Sequence, residues 1–188
     1  MDFFDAHTHV GKTLHSGKSC TGRELVEAMQ DHGVDRSLVI PFPVVEDYRE
    51  AHDEIAEAIQ DFPNALTGCI CLDPFVGRKE FRNEVRRCVE KPGFRALKLQ
   101  PQYQPLNPIS PRSDFFFETA LEFRLPVVCH TGAAVPFALP SLFIQPARRF
   151  PELTIILAHA GGSLTLEILN YVDSSRLLVG SYQSQITN

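Results

Sequence analysis

The sequence predicts an α/β fold, a TIM-type (β/α) barrel with about seven of its strands present. Short apolar runs alternate with amphipathic stretches along all 188 residues. Such alternation implies a parallel sheet joined by crossover helices. No Gly-rich phosphate loop follows the first run, so an open dinucleotide-binding sheet lacks its main signature. Histidines and a lysine also stand at the ends of several runs, where barrel enzymes carry their chemistry.

In chain order the runs are FFDAH (3–7), RSLVIPF (36–42), ALTGCICL (65–72), FRALKLQ (94–100), PVVCH (126–130), LTIILAH (153–159) and RLLVGS (176–181). Side chains alternate along a strand, so the first run is expected to place Asp5, His7 and His9 on one face. In TGRELVEAMQDHG, Thr21 and Glu24 form a capping box, Leu25, Ala28 and Met29 a buried face, and Gly33 the stop. EDYREAHDEIAEAIQDF aligns Tyr48, Ala51, Ile55, Ile59 and Phe62, and GRKEFRNEVRRCVE aligns Phe81, Val85 and Cys88 or Val89. The fourth run places Lys98 on one face with Phe94, Ala96 and Gln100. The loop QPQYQPLNPISP (100–111) follows it, and Ser110 and Pro111 then open a helix.

Composition narrows the function. Eighteen basic against 23 acidic residues give a net charge of −5, and no basic block offers nucleic acid or an anionic membrane a surface. No apolar run reaches membrane-spanning length, and Asp2 and Asp5 stand where a basic leader would be. A cytoplasmic protein acting on a small molecule is expected. The five cysteines (20, 69, 71, 88 and 129) form no C-x-x-C pair and read as reduced, mostly buried thiols.

Buried parallel strands read as apolar until their last residues. Here the ends carry His7 and His9, Lys98 and Gln100, His130, and His159. His15, His32 and His52 lie in a loop or on helices and read as structural or surface residues. Neutral imidazoles suit zinc and similar ions, and a catalytic site needs about three protein ligands and an open position. His7, His9 and His130 are the candidate ligands. His159 is the candidate catalytic residue, orienting or deprotonating a water or polarising the substrate. One divalent metal is expected, zinc by ligand type, with manganese as the alternative.

These segments resemble the amidohydrolase-related metal-dependent hydrolases, in particular the second amidohydrolase group, which also contains metal-dependent decarboxylases. DAHTHVG is similar to the family's strand-one D-x-H-x-H, a motif shared with PHP and TatD-type phosphoesterases. GFRALKLQPQYQ resembles its strand four, where K-L-H-P is common and Gln100 replaces the histidine. LPVVCHTGAAVP and FPELTIILAHAGG resemble strands five and six, and narrow the resemblance. It implies metal ligation by His7, His9 and His130, with His159 as a catalytic residue beside the reacting water. Asp5 then either orients a ligand histidine or caps the strand end. Lys98 reads as an internal salt-bridge partner or a substrate-carboxylate partner, and Arg112 as a loop cation. The implied reaction is hydrolysis of a C–N or C–O bond, or non-oxidative decarboxylation. A catalytically inactive remnant that binds metal or a partner is the competing expectation.

The family pattern also expects an aspartate at the end of strand eight, and none is found. Asp173 precedes the last run. If RLLVGS is strand eight, Tyr182 stands in the aspartate's place; otherwise RLLVGS is strand seven. A chain shorter than the about 250 residues of a full barrel leads to the expectation of a single domain over 1–188 lacking the strand-eight region. Such a chain is a fragment, or completes itself by association into a homo-oligomer.

Overall fold

The computed structural model describes residues 2–132, 135–159 and 177–179. Its strands are β1 (Phe4–Lys12), β2 (Ser19–Cys20), β3 (Arg36–Pro41), β4 (Leu66–Ile70), β5 (Phe94–Leu99), β6 (Val127–His130), β7 (Ile155–Ala158) and β8 (Leu177–Val179). The helices are α1 (Gly22–Asp31), α2 (Tyr48–Asp61), α3 (Arg78–Glu90), α4 (Asp114–Glu122) and α5 (Ile144–Arg149). The sheet order is β2-β1-β3-β4-β5-β6-β7-β8. Only the short β2 runs antiparallel, pairing with Gly11 and Lys12; the other seven strands are parallel neighbours. β8 pairs directly with β7, which is the place of a seventh strand. The sheet stays open among the described residues. Among them, no helix is long and apolar enough to cross a membrane.

The apolar runs are continuous because both faces of the strands are covered. Val39, Ile70, Leu97, Leu99, Val127, Ile155 and Leu157 face the helices. Leu38, Ile40, Cys69, Cys71, Ala96, Val128 and Ala158 form the inner layer. The helix starts follow the local signals. Thr21 Oγ1 accepts the Glu24 N–H at 3.2 Å and Glu24 Oε2 accepts the Thr21 N–H at 2.7 Å, a cap worth about 1 kcal/mol. Gly33 then takes a φ of +68° and ends α1. The fourth helix differs from expectation. Ser110 caps a 3₁₀ turn, Pro111–Ser113, and α4 begins only at Asp114.

Two irregularities in register correct expected faces. Asp5 pairs with Ser37 but Thr8 pairs with Val39, so β1 carries one extra residue between them, a β-bulge. His9 pairs with Ile40, three positions from Ser37, so Asp5 and His9 lie on opposite faces. A second bulge gives Phe94 the partner Gly68 and Ala96 the partner Cys69. Phe94 therefore packs in the outer layer while Ala96 and Lys98 point inward.

Candidate metal centre

Strands of a parallel sheet present their C-terminal ends on one rim, and the predicted residues meet there. The rings of His7 and His9 lie 5.1 Å apart, centroid to centroid. His159, the residue after β7, is 4.8 Å from His7 and 4.6 Å from His130 by the same measure. Its Nε2 is 3.1 Å from His130 Nδ1. Lys98 Nζ reaches His7 Nε2 at 3.0 Å. All four strand-end histidines and Lys98 are thus neighbours, although the chain separates them by up to 152 positions. His159 holds a φ of +59°, a left-handed conformation that histidine tolerates better than most residues. Such a backbone at a strand end is a known companion of functional sites.

Burial keeps the cluster uncharged. It lowers His9 and His130 to about 4, with the nearby Lys98 amine as the second cause. His7 falls further below the usual imidazole range, and His159 is lowered too, again by burial first and Lys98 next. Burial also lowers Lys98, which has only 1% of its surface exposed. At neutral pH the imidazoles are neutral, the form that binds a metal ion. His9 Nδ1 makes a long contact, 3.4 Å, with the Pro41 carbonyl oxygen, and its ring stacks on Phe42. A hydrogen on Nδ1 donated to that carbonyl leaves Nε2 with its lone pair free. His7, His9 and His130 are thus three neutral imidazoles of the type a divalent ion takes, with nitrogens that do not all lie within 4.8 Å of one another. The nitrogens are drawn together in pairs, by His130–His159 and His7–Lys98, rather than as a closed triad.

Among the described residues, the group that brings three donor atoms within 4.8 Å of one another is a different one, His52, Glu84 and Cys88; the strand histidines do not meet that distance. Its donors are already engaged. His52 Nδ1 donates to Glu84 Oε1 at 2.8 Å and Nε2 accepts the Cys71 N–H at 3.1 Å. Arg87 grips both Glu84 oxygens, at 2.7 and 2.9 Å, and Cys88 donates to Oε1 at 3.5 Å. Burial opposes ionisation of Glu84, but His52 and Arg87 prevail and hold its carboxyl down to about 2. Glu84 fastens α3 to α2 here, and His52 fastens both to β4.

Other expectations resolve differently. Asp5 Oδ1 accepts the His7 backbone N–H at 3.0 Å, so it secures the bulged strand rather than an imidazole. Among the described residues Lys98 has no carboxylate partner, and its amine meets His7 Nε2 instead. Arg112 is exposed, as is His15, and His32 Nδ1 bonds the Ala28 carbonyl at the end of α1. Tyr182 and Asp173 lie outside the described residues. Phe42, the last residue of the second run, was not singled out by the sequence, although its position at a strand end was the available signal.

A sequence profile described as Amidohydrolase matches residues 4–170. The chain belongs to the amidohydrolase family. No curated protein matches it in sequence. Among solved structures, it is similar to an uncharacterised TIM-barrel protein from Bordetella bronchiseptica, with 13% identity and a TM-score of 0.74 over 95% of this chain and 74% of that one. It also resembles 5-carboxyvanillate decarboxylase from Novosphingobium aromaticivorans, solved with manganese and 4-hydroxy-3-methoxy-5-nitrobenzoic acid. There the identity is 18% and the TM-score 0.59, over 78% of this chain and 52% of that one. A third is N-isopropylammelide isopropylaminohydrolase from Burkholderia multivorans, with 12% identity and a TM-score of 0.60 over 95% of this chain and 55% of that one. This amidohydrolase chain thus spans about half the length of the two named enzymes, and likenesses at these identities establish the barrel-type fold.

Proposed function

We propose that the chain is a metal-dependent hydrolase acting on a C–N or C–O bond of a small organic substrate, in the cytoplasm. The observation that carries this is the convergence of His7 and His9 from within β1 with His130 at the end of β6 and His159 just after β7. His7, His9 and His130 would hold one divalent ion, zinc by ligand type and manganese as the alternative. Such an ion supplies Lewis-acid polarisation and a water that is acidic near neutral pH.

The remaining work falls to the side chains. His159 is the proton-transfer residue, and its neutral ring at pH 7 is suited to accepting a proton. Its Nε2 faces His130 Nδ1, so one of the two rings carries the shared hydrogen. Were His130 to hold the ion through Nδ1, His159 Nε2 would be free to accept a proton from the attacking water. With His130 ligating through Nε2, its Nδ1–H stays on His159, which then presents its own Nδ1–H to the substrate. Asp5 fixes the backbone leading into His7, and Phe42 stacks on the His9 ring.

Non-oxidative decarboxylation is the second reading, supported by the resemblance to 5-carboxyvanillate decarboxylase and by a buried Lys98 that meets no protein carboxylate. In that reaction His159 would deliver a proton rather than remove one. The test is a screen of the zinc- or manganese-loaded chain against amides, lactones and aromatic carboxylic acids. Metal-dependent release of amine or acid supports hydrolysis, and release of carbon dioxide supports decarboxylation. No turnover by a chain that holds metal would favour the inactive remnant.

A further inference from the structure

β6 and β7 end side by side, with His130 paired to Ala158. One residue past each end stand Thr131 and His159. Thr131 has 1% of its surface exposed, and its Oγ1 donates to the Ala158 carbonyl at 2.6 Å. The bond crosses from one strand end to the other where the ladder stops. Its acceptor belongs to the peptide that leads into His159, the residue whose φ of +59° accompanies the contact of its ring with His130. Thr131 is anchored on its far side as well. The Gly132 N–H donates to the Ala138 carbonyl at 3.0 Å, folding the chain back on the strand end. A β-branched side chain is stiff about χ1, so this buried threonine offers its hydroxyl in one direction. A left-handed backbone at a residue with a side chain persists only where its surroundings fix it. The Thr131 hydroxyl supplies such a fixing point at the carbonyl just before His159.

We propose that Thr131 is a positioning residue of the histidine site: its hydroxyl sets the plane of the Ala158–His159 peptide and so holds the His159 ring against His130. The proposal rests on His159 being the proton-transfer residue of the proposed hydrolase. With the peptide plane fixed, only the backbone and side-chain torsions of His159 itself decide where its ring lies, and they place Nε2 3.1 Å from His130 Nδ1. Proton transfer needs heavy atoms within about 2.6–3.2 Å of each other. A ring displaced by about 1 Å therefore loses its reach. Thr131 acts through the backbone of His159 rather than on the reacting atoms.

The test reads the two rings directly, by NMR of the whole metal-free chain with isotope-labelled histidine. Their centroids lie 4.6 Å apart, close enough for a nuclear Overhauser effect between ring hydrogens. Thr131→Val keeps the shape and removes the hydroxyl; it is expected to lose that effect, and Thr131→Ser to retain it. An effect undiminished in Thr131→Val, or lost equally in Thr131→Ser, overturns the proposal, since a hydroxyl that serves stability alone leaves the rings in place. Should Thr131→Val not fold, the wild-type hydroxyl decides. A slowly exchanging Thr131 hydroxyl hydrogen in contact with the His159 α-hydrogen supports the role, and its absence overturns it. In the zinc-loaded enzyme, with a substrate found by screening, Thr131→Val should lose about 10–100-fold in kcat with KM unchanged. An unchanged kcat overturns the proposal. A wild-type chain without metal or turnover counts against the hydrolase reading alone, because the ring contact is read in the metal-free protein.

Discussion

His159 Nε2 lies 3.1 Å from His130 Nδ1, joining the ends of β7 and β6 by a contact between two neutral imidazoles. In the proposed function this contact joins a metal ligand, His130, to a proton carrier, His159. His159→Asn, which tolerates the left-handed backbone, should keep its metal while turnover falls by about 10²–10⁴-fold. Elemental analysis and a rate on the substrate found by screening check this. Loss of metal from His159→Asn would make His159 a ligand instead.

Lys98 is the second cause, after burial, of the low His9 and His130 pKa values. Lys98→Met removes the amine and keeps the volume. Both histidines should then titrate at higher pH, yet still below 6.5 because burial persists. A proton NMR titration of the ring C–H signals reads this directly, and unchanged midpoints would contradict it.

Acid should unfold the chain in two stages. His9 and His130 have an unfolded value of 6.5 and a folded value of about 4. Between those pH values the unfolded chain binds more protons, so stability rises with pH across the window and is lost as pH falls. His7 and His159 are lowered in the same direction. Glu84, held at about 2 against its usual 4.5, adds a second loss as pH falls below 4.5. Melting temperatures should be level above pH 7 and drop steadily below 6.5. A flat profile down to pH 5 would be inconsistent with buried neutral histidines.

His52 is a test of the structural reading of the other donor cluster. His52→Ala leaves the Cys71 N–H and the Glu84 carboxylate short of a partner, and should cost about 3 kcal/mol without changing metal content. Denaturant unfolding with elemental analysis separates the two effects. Metal lost with His52 and retained without His130 would reverse the assignment.

What the sequence conveys well is periodicity. The alternating runs give the parallel strands, and Thr21 with Glu24 gives the start of α1 to the residue. The histidines are readable because apolar strands make polar ends conspicuous. What fails is parity across a bulge. One extra residue between Asp5 and Thr8, and another at Arg95, move Asp5 and Phe94 off the expected faces, and a bulge has no signature in alternation alone. Partner choice is equally hidden. That Lys98 meets His7 rather than a carboxylate depends on a contact 91 residues away.

Metal content decides the centre of the case. Wild-type chain reconstituted with zinc or manganese and freed of excess ion should hold about one equivalent by elemental analysis, as three-histidine sites do. His130→Ala should hold essentially none while remaining folded. A wild-type chain that retains no metal, or a His130→Ala chain that retains a full equivalent, would contradict a metal centre built on His7, His9 and His130.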